Sequence, residues 1–387
     1  MPLSFPPAIE PYLLPTLYIV ILLAVFPLIA GYIVLLERKV MADIQVRLGP
    51  MRVGPHGLLQ PIADAVKLLI KEDIIPAMAD RWVFWVAPII SVVTALLALS
   101  LVPFSNRFYV TDTNVGLLFI LSITSVGILG IILGGWSSNS HYPLLGALRS
   151  TAQLVSYEVA LGFAVIGGLM VAGTLSMQQI VQHQLEQHVW FIFYQPVAFF
   201  IYVVAAMAET NRAPFDMPEA ESEIVAGYHT EYSGFRFALY FLAEYVNMVI
   251  VSSIAVTLFL GGWLRPFPNV RWLDFLNYFP IAAMFGLAFL SFLGAAREQR
   301  RIEKLGMGGL GAIFVLMGLL FLIPDVLNWV QGLFWFISKV FLALYSFIWI
   351  RFTFPRYRYD QLMRIGWRWL IPLAIANVIV TGIIMVL

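Results

Sequence analysis

Cysteine is missing altogether from the 387 residues. Its absence excludes disulfides, thiolate zinc sites, iron–sulfur ligation and cysteine nucleophiles. Histidine is scarce too. His56, His141, His183, His188 and His229 are scattered, and none has a metal-ligand partner at helical spacing. They read as structural or solvated imidazoles, so no metal site is expected, and any redox centre held by protein ligands belongs to a partner or is absent. Charged residues make up 12%, about half the share of a soluble domain. The net charge of +1 offers none of the basic excess that nucleic-acid binding requires. No Lys or Arg precedes the first apolar run, whereas a secretory signal starts basic. That run therefore reads as a retained transmembrane helix.

Apolar residues are what the chain has in excess: 61% are hydrophobic and the mean hydropathy is +0.87. A soluble domain carries about 45–50%, and one of this size could not hide the surplus. Disorder is excluded by the same composition, so the solvent for most of the chain must be lipid. Apolar windows long enough for a bilayer predict about ten spans, near residues 13–36, 83–102, 115–135, 156–175, 190–208, 237–262, 278–296, 308–324, 334–350 and 369–386. Of the 23 Lys and Arg, only Arg107, Arg265 and Arg271 fall in the even-numbered loops and Lys339 inside the ninth span; the other 19 lie in or beside the odd-numbered loops. The Lys/Arg-rich side is cytoplasmic by the positive-inside rule, which puts both termini in the other compartment. The expected architecture is an all-α polytopic membrane protein, residues 1–387 forming one integral-membrane domain.

The outer loops read as short and featureless, while the cytoplasmic ones are long. Residues 37–82 contain an amphipathic stretch, Gly57–Asp73. Leu58, Ile62, Ala65 and Leu69 with Leu59, Val66 and Ile70 form an apolar stripe, and Asp64, Lys67 and Lys71 share another face. Such a helix lies in the interface plane.

A charge at mid-membrane costs about 2.5–3.5 kcal/mol on insertion scales. Glu37 and Arg38 end the first span, Glu158 starts the fourth, Glu209 closes the fifth, and Glu244 lies about two turns into the sixth. A carboxyl in low dielectric can exchange its proton near neutral pH; snorkelling to the interface would serve Glu37 and Glu209 equally well. The cytoplasmic loop 209–236 is the richest stretch. Glu209, Asp216, Glu219, Glu221 and Glu223 crowd together, with Pro214 and Pro218 forcing a turn. Asp216 and Glu219 resemble a capping box that starts a helix. A helix dipole accounts for one or two such acids, but like charges four apart repel, and proton sharing would relieve them. Arg351, Arg356, Arg358, Arg364 and Arg368 form a basic C-terminal loop, either an inside anchor or a docking surface for a soluble partner. No phosphate-binding glycine pattern fits; Gly306, Gly308, Gly309 and Gly311 open a span where small residues allow close helix packing.

Five blocks in this order are similar to one family. They are Glu37-Arg38-Lys39 with Gln45-Val46-Arg47-Leu48-Gly49-Pro50; Gln60-Pro61-Ile62-Ala63-Asp64 through Lys71-Glu72; Leu144 to Arg149 through Gln153 to Glu158; Glu209 to Glu223 continuing to Glu231-Tyr232 and Ala243-Glu244-Tyr245; and Pro355 to Met363. The chain resembles the H subunit of proton-pumping NADH:quinone oxidoreductase, respiratory complex I, equivalent to mitochondrial subunit 1. The resemblance implies a bacterial inner-membrane subunit that anchors the peripheral arm and, with two peripheral-arm subunits, encloses a quinone chamber. It implies small membrane subunits as neighbours and quinone as substrate, admitted near the first and sixth spans and the amphipathic helix. Glu37, Arg38, Arg47 and Asp64 would line the chamber, and Glu158, Glu209, Asp216, Glu219, Glu221, Glu223 and Glu244 would couple proton movement. Flavin and iron–sulfur clusters would sit only in partners. One departure stands out: residues 278–325 add a transmembrane hairpin, expected to face lipid or a partner and to do no chemistry. A membrane subunit of an energy-converting hydrogenase would carry a different acidic loop. A stand-alone transporter would show internal repeats and matching broken helices, and neither is seen.

Overall fold

The computed structural model describes residues 10–217, 226–297 and 300–387, and every regular element among them is helical. In order they are α1 (Glu10–Ile44), α2 (Gln60–Ile70), α3 (Arg81–Ser100), α4 (Gly116–Ser137), α5 (His141–Ala172), α6 (Met177–Glu186), α7 (Phe191–Tyr194), α8 (Pro196–Glu209), α9 (Gly234–Phe259), α10 (Phe279–Arg297), α11 (Arg301–Leu320), α12 (Pro324–Thr353) and α13 (Tyr359–Val386). Among the described residues, nine helices are long and apolar enough to cross a membrane, and α8 is a shorter apolar helix.

Several boundaries differ from the sequence expectation for local reasons. Hydropathy ends the first span at Leu36, but no Gly or Pro stops the backbone there, and α1 runs two turns further to Ile44. Glu37, Arg38 and Lys39 are thus side chains of a rigid helix and not of a loop. The fifth window, 190–208, is interrupted at Gln195. Pro196 disfavours the helical region for the residue before it and starts a new helix at its own position, leaving α8 only 14 residues. At 1.5 Å per residue that is about 21 Å, less than a bilayer core. Gln195 fills the break by donating to Thr381 Oγ1 (2.8 Å) and accepting from Asn377 Nδ2 (2.8 Å) of α13. The loop after α5 is not featureless either. Gly173 ends α5 in the left-handed conformation (φ +66°), Ser176 caps α6 by accepting from Gln179 N at 3.3 Å, and α6 packs Ile180, Val181 and Gln184 inward.

The bundle is built around α9, 78% of whose central window is buried. Ser252, Ser253 and Thr257 are fully buried on it. Ser253 donates to Val249 O (2.7 Å) and Thr257 to Ser253 O (2.9 Å), so the hydroxyls are satisfied by their own helix while neighbours pack close. Contacts between Glu37 and Arg351, Asp73 and Arg236, and Pro214 and Tyr357 gather the Lys/Arg-rich loops at one end, the basic end. The hairpin of α10 and α11 mainly packs on itself: a Cβ on Gly311 would sit 3.0 Å from the Phe292 ring.

Lys339, the one cation inside a span in the sequence reading, has a structural task. From the middle of α12 its Nζ donates to the carbonyls of Leu260 (2.6 Å), Gly262 (2.9 Å) and Leu264 (2.6 Å) just past the end of α9. It also lies 4.6 Å from the Trp190 ring centroid. An ammonium here meets the negative end of the α9 dipole and satisfies carbonyls that neither lipid nor helix could. Lys339→Met should lower the thermal unfolding midpoint of the detergent-purified protein, each orphaned carbonyl costing about 1–3 kcal/mol; an unchanged midpoint would show that the cap contributes nothing.

A buried carboxylate network at the basic end

Three elements that are remote in sequence build the centre of the site. α1 presents Glu37, α9 presents the adjacent Glu244 and Tyr245, and the turn after α8 presents Arg212. That turn is fixed from α5, where Gln153 Nε2 donates to both Ala208 O and Phe215 O at 2.7 Å. From the other side, Tyr357 N donates to Pro214 O (3.1 Å) and the Tyr357 ring stacks on Phe215. So held, the Arg212 guanidinium is buried between two acids. Its Nη2 lies 3.5 Å from Glu244 Oε2 and its Nη1 3.9 Å from Glu37 Oε1. Its plane lies over the Tyr245 ring at 4.5 Å.

Both carboxylates have further partners. Glu37 is paired with Arg351 from the end of α12, and its Oε2 accepts from Tyr245 OH at 2.6 Å. Glu244 Oε1 accepts from Tyr228 OH at 2.8 Å. Two acids and two guanidinia thus alternate in low dielectric, the arrangement in which buried charge is tolerated.

Behind Glu244 lies a small cavity of about 50 Å³ onto which Glu158, Glu209 and Glu244 all face, with Tyr228, Thr124 and Asn247 also in its wall. A single water needs about 10–15 Å³ by this measure, so a few waters fit. Glu158 accepts from Ser125 Oγ of α4. The cavity is polar because α5, α8 and α9 each turn one acid toward it, and three acids on separate helices cannot relieve one another by local pairing.

A second cluster ties α2 to α1. Arg38 Nη1 is 2.7 Å from Asp64 Oδ2, Gln60 Nε2 donates to Asp64 Oδ1 (3.0 Å), and Lys67 Nζ lies 3.6 Å from the same oxygen. Arg47 does not join it; it sits on the exposed turn after α1 and donates to Gln45 Oε1 at 2.7 Å. Asp216 lies in the turn between buried Phe215 and Met217 and is not in the cavity wall. Glu219, Glu221 and Glu223, with the helix start expected among them, lie outside the described residues.

Sequence reasoning missed several partners. Arg212 and Tyr245 sit inside the quoted blocks, but nothing local says that they meet Glu37. Arg236, counted only as an inside charge, is 2% exposed. It pairs with Asp73 at 2.7 Å and lies 4.1 Å from the Trp85 ring. A lone Arg at the mouth of an apolar span was the available signal. Nearby, Tyr232 stacks on Phe84 at 4.0 Å, and burial raises its phenol above the ordinary range. An open apolar groove of about 660 Å³ runs along α1 between α9 and α12, from Tyr18 to Lys39, with Leu58, Val249 and Leu344 on its sides.

The fold and this site define a polytopic helical membrane protein whose intramembrane carboxylates are gathered, paired and hydrated at one end. A family model described as NADH dehydrogenase matches residues 17–382. The chain is 59% identical to an H subunit of NADH-quinone oxidoreductase, the second of two, from Solibacter usitatus, covering 97% of each chain. It is 51% identical to the first of the two such H subunits from Koribacter versatilis, over 95% of this chain and 91% of that one. The chain belongs to this family, that of the H subunit of NADH-quinone oxidoreductase.

Breaking a buried pair by removing one partner costs about 3–5 kcal/mol. Arg212→Gln should therefore deplete the subunit from assembled complex and lower its thermal midpoint, and adding Glu244→Gln should recover part of the loss. Wild-type stability in the single variant would mean that the shared guanidinium does not hold the two helices together.

Proposed function

We propose that this chain anchors the peripheral arm of the oxidoreductase to the membrane, forms part of a quinone chamber, and couples quinone reduction to proton translocation through its buried carboxylates. The observation that carries the reading is the meeting of Glu158, Glu209 and Glu244 on one hydratable cavity that joins, through Glu244 and Arg212, to Glu37. NADH, flavin and iron–sulfur clusters belong to partner subunits, and the remaining chamber wall to the peripheral arm. The chain sits in a bacterial inner membrane with ten crossings, α8 being the shortest, and both termini away from the cytoplasm.

Quinone is the substrate and comes from the bilayer. The groove along α1 supports this, since its volume falls in the range of about 300–1,000 Å³ typical of ligand sites and its walls are almost wholly apolar. At the chamber, Arg38 and Asp64 present a paired cation and acid close to the groove's Lys39 end. Arg47 and Asp216 would reach chamber and loop contacts completed by partner chains. Quinone reduction takes up protons with electrons, which alters the charge balance beside Arg38 and Asp64. Glu37 senses that change through the guanidinia of Arg351 and Arg212, and Glu244 through Arg212. The proton then moves between Glu244, Glu209 and Glu158 carboxyl oxygens across cavity water, with Tyr228 OH and Ser125 OH donating to the acceptor oxygens. Glu219, Glu221 and Glu223 extend the acidic path at the loop.

Glu→Gln keeps shape and removes the exchangeable proton. In proteoliposomes holding intact variant complex, Glu158→Gln and Glu244→Gln should each lower NADH:quinone turnover and proton translocation together, about tenfold or more. Asp64→Ala should impair quinone reduction while NADH oxidation by ferricyanide persists. Wild-type turnover and pumping in both Gln variants would leave these carboxyls as structural.

Topology offers an independent check. A reporter fused after Leu387 should be active only when it reads the non-cytoplasmic side; a cytoplasmic signal would mean that one expected crossing, α8 first among them, does not span.

A further inference from the structure

The loop between α1 and α2 is wound tightly. Gly54 and Gly57 adopt φ of +72° and +78°, and a Cβ on Gly57 would lie 2.2 Å from Pro50 O. Lys39 Nζ donates to His56 O at 2.7 Å, tying the loop back to α1. Leu58, next in the chain, is in the wall of the apolar groove together with Lys39. The loop therefore shapes the groove at its basic end.

The same loop is touched from outside by the hairpin. A Cβ placed on Gly306, in the second turn of α11, would lie 2.3 Å from Pro55 Cγ and 2.9 Å from Pro55 Cβ. A proline ring on a glycine-locked loop cannot swing aside, so only glycine fits this position. Gly308 and Gly309 on the same helix have nothing within 4 Å of the Cβ position, so the glycine run is not uniformly a packing seam. At its far end the hairpin is fixed on α12, where Phe279 stacks on Trp335 at 5.7 Å and Gln331 Nε2 donates to Asn277 Oδ1 at 2.6 Å. The rest of its apolar surface faces away from the chain: only 11% of the α11 window is buried. A helix pair held at its two ends and bare between them transmits position from one end to the other.

We propose that the α10–α11 hairpin is a strut that sets the α1–α2 loop through Gly306 against Pro55, and so fixes the width of the groove mouth through which quinone passes. Gly306 and Pro55 are positioning residues that touch no substrate. The functional half rests on the quinone reading of the groove; the docking half does not.

The test uses intact complex in membranes. This subunit contains no native cysteine, so Pro55→Cys with Gly306→Cys introduces its only two thiols, close enough to join under mild oxidation. They should cross-link, whereas Pro55→Cys with Gly308→Cys should not. Gly306→Val should raise the quinone KM by about fivefold with NADH:ferricyanide activity unchanged. Gly308→Val, the same change two residues on, should keep the wild-type KM, and Pro55→Gly added to Gly306→Val should restore it. A 55–306 pair that fails to cross-link overturns the docking. A wild-type KM in Gly306→Val, in a complex where Asp64→Ala does raise it, overturns the strut and leaves the chamber reading standing. A wild-type KM in Asp64→Ala as well would count against the chamber reading instead, and the cross-link then decides the docking alone.

Discussion

The Arg212 guanidinium between Glu37 and Glu244 is the interaction on which the site depends. In water such a contact would be worth little. Under the bundle's low dielectric, neither acid could stay charged without a cation, and the cation could not be there without the acids. Its two partners stand on α1 and α9, helices 208 residues apart at the Tyr245–Glu37 contact, so one side chain fixes both helices and the turn after α8. The rest of the basic end is arranged to make that placement unique: Gln153 holds the turn from α5, Tyr357 covers it, and Arg351 provides Glu37 with a second cation.

The same constraint explains why the polar residues segregate. Toward the far end of α9, polar groups are satisfied at short range. Serine and threonine hydroxyls bond their own helix, Gln195 fills a break made by Pro196, and Lys339 caps free carbonyls. At the basic end they are satisfied only across helices, and a hydrated gap remains between Glu158, Glu209 and Glu244. Local satisfaction makes a rigid wall. Cross-helix satisfaction couples the protonation of one group to the position of another, which is what a machine linking chemistry to transport requires.

The crossings were legible because hydropathy is additive along a helix. Ten apolar windows were expected, and each meets a helix in the structure. The amphipathic face of 57–73 appears as α2. What misled was the assumption that a helix ends where its apolar run ends. α1 continues through Glu37-Arg38-Lys39, α5 begins fifteen residues before its apolar window at His141, and α6 occupies a loop expected to be bare. Backbone helicity follows caps and the absence of breakers, whereas hydropathy reports only the solvent.

The acids were legible one at a time, since each is expensive where it stands. The partners of Glu37 and Glu244 were not, because Arg212 and Arg351 lie on other segments and periodicity carries no information about which remote segments meet. Arg38 and Asp64 were grouped by family resemblance, and the structure joins them at 2.7 Å, while Arg47 stands apart on an exposed turn. The sequence by itself determined that this is a lipid-solvated helical protein, which windows cross, and which carboxyls are anomalous, because composition and spacing are local quantities. Only the tertiary structure decided that three of those carboxyls share one cavity, that a single guanidinium serves two of the acids, and that Gly306 rests on Pro55, because packing in three dimensions selects one set of long-range contacts from many that the sequence permits.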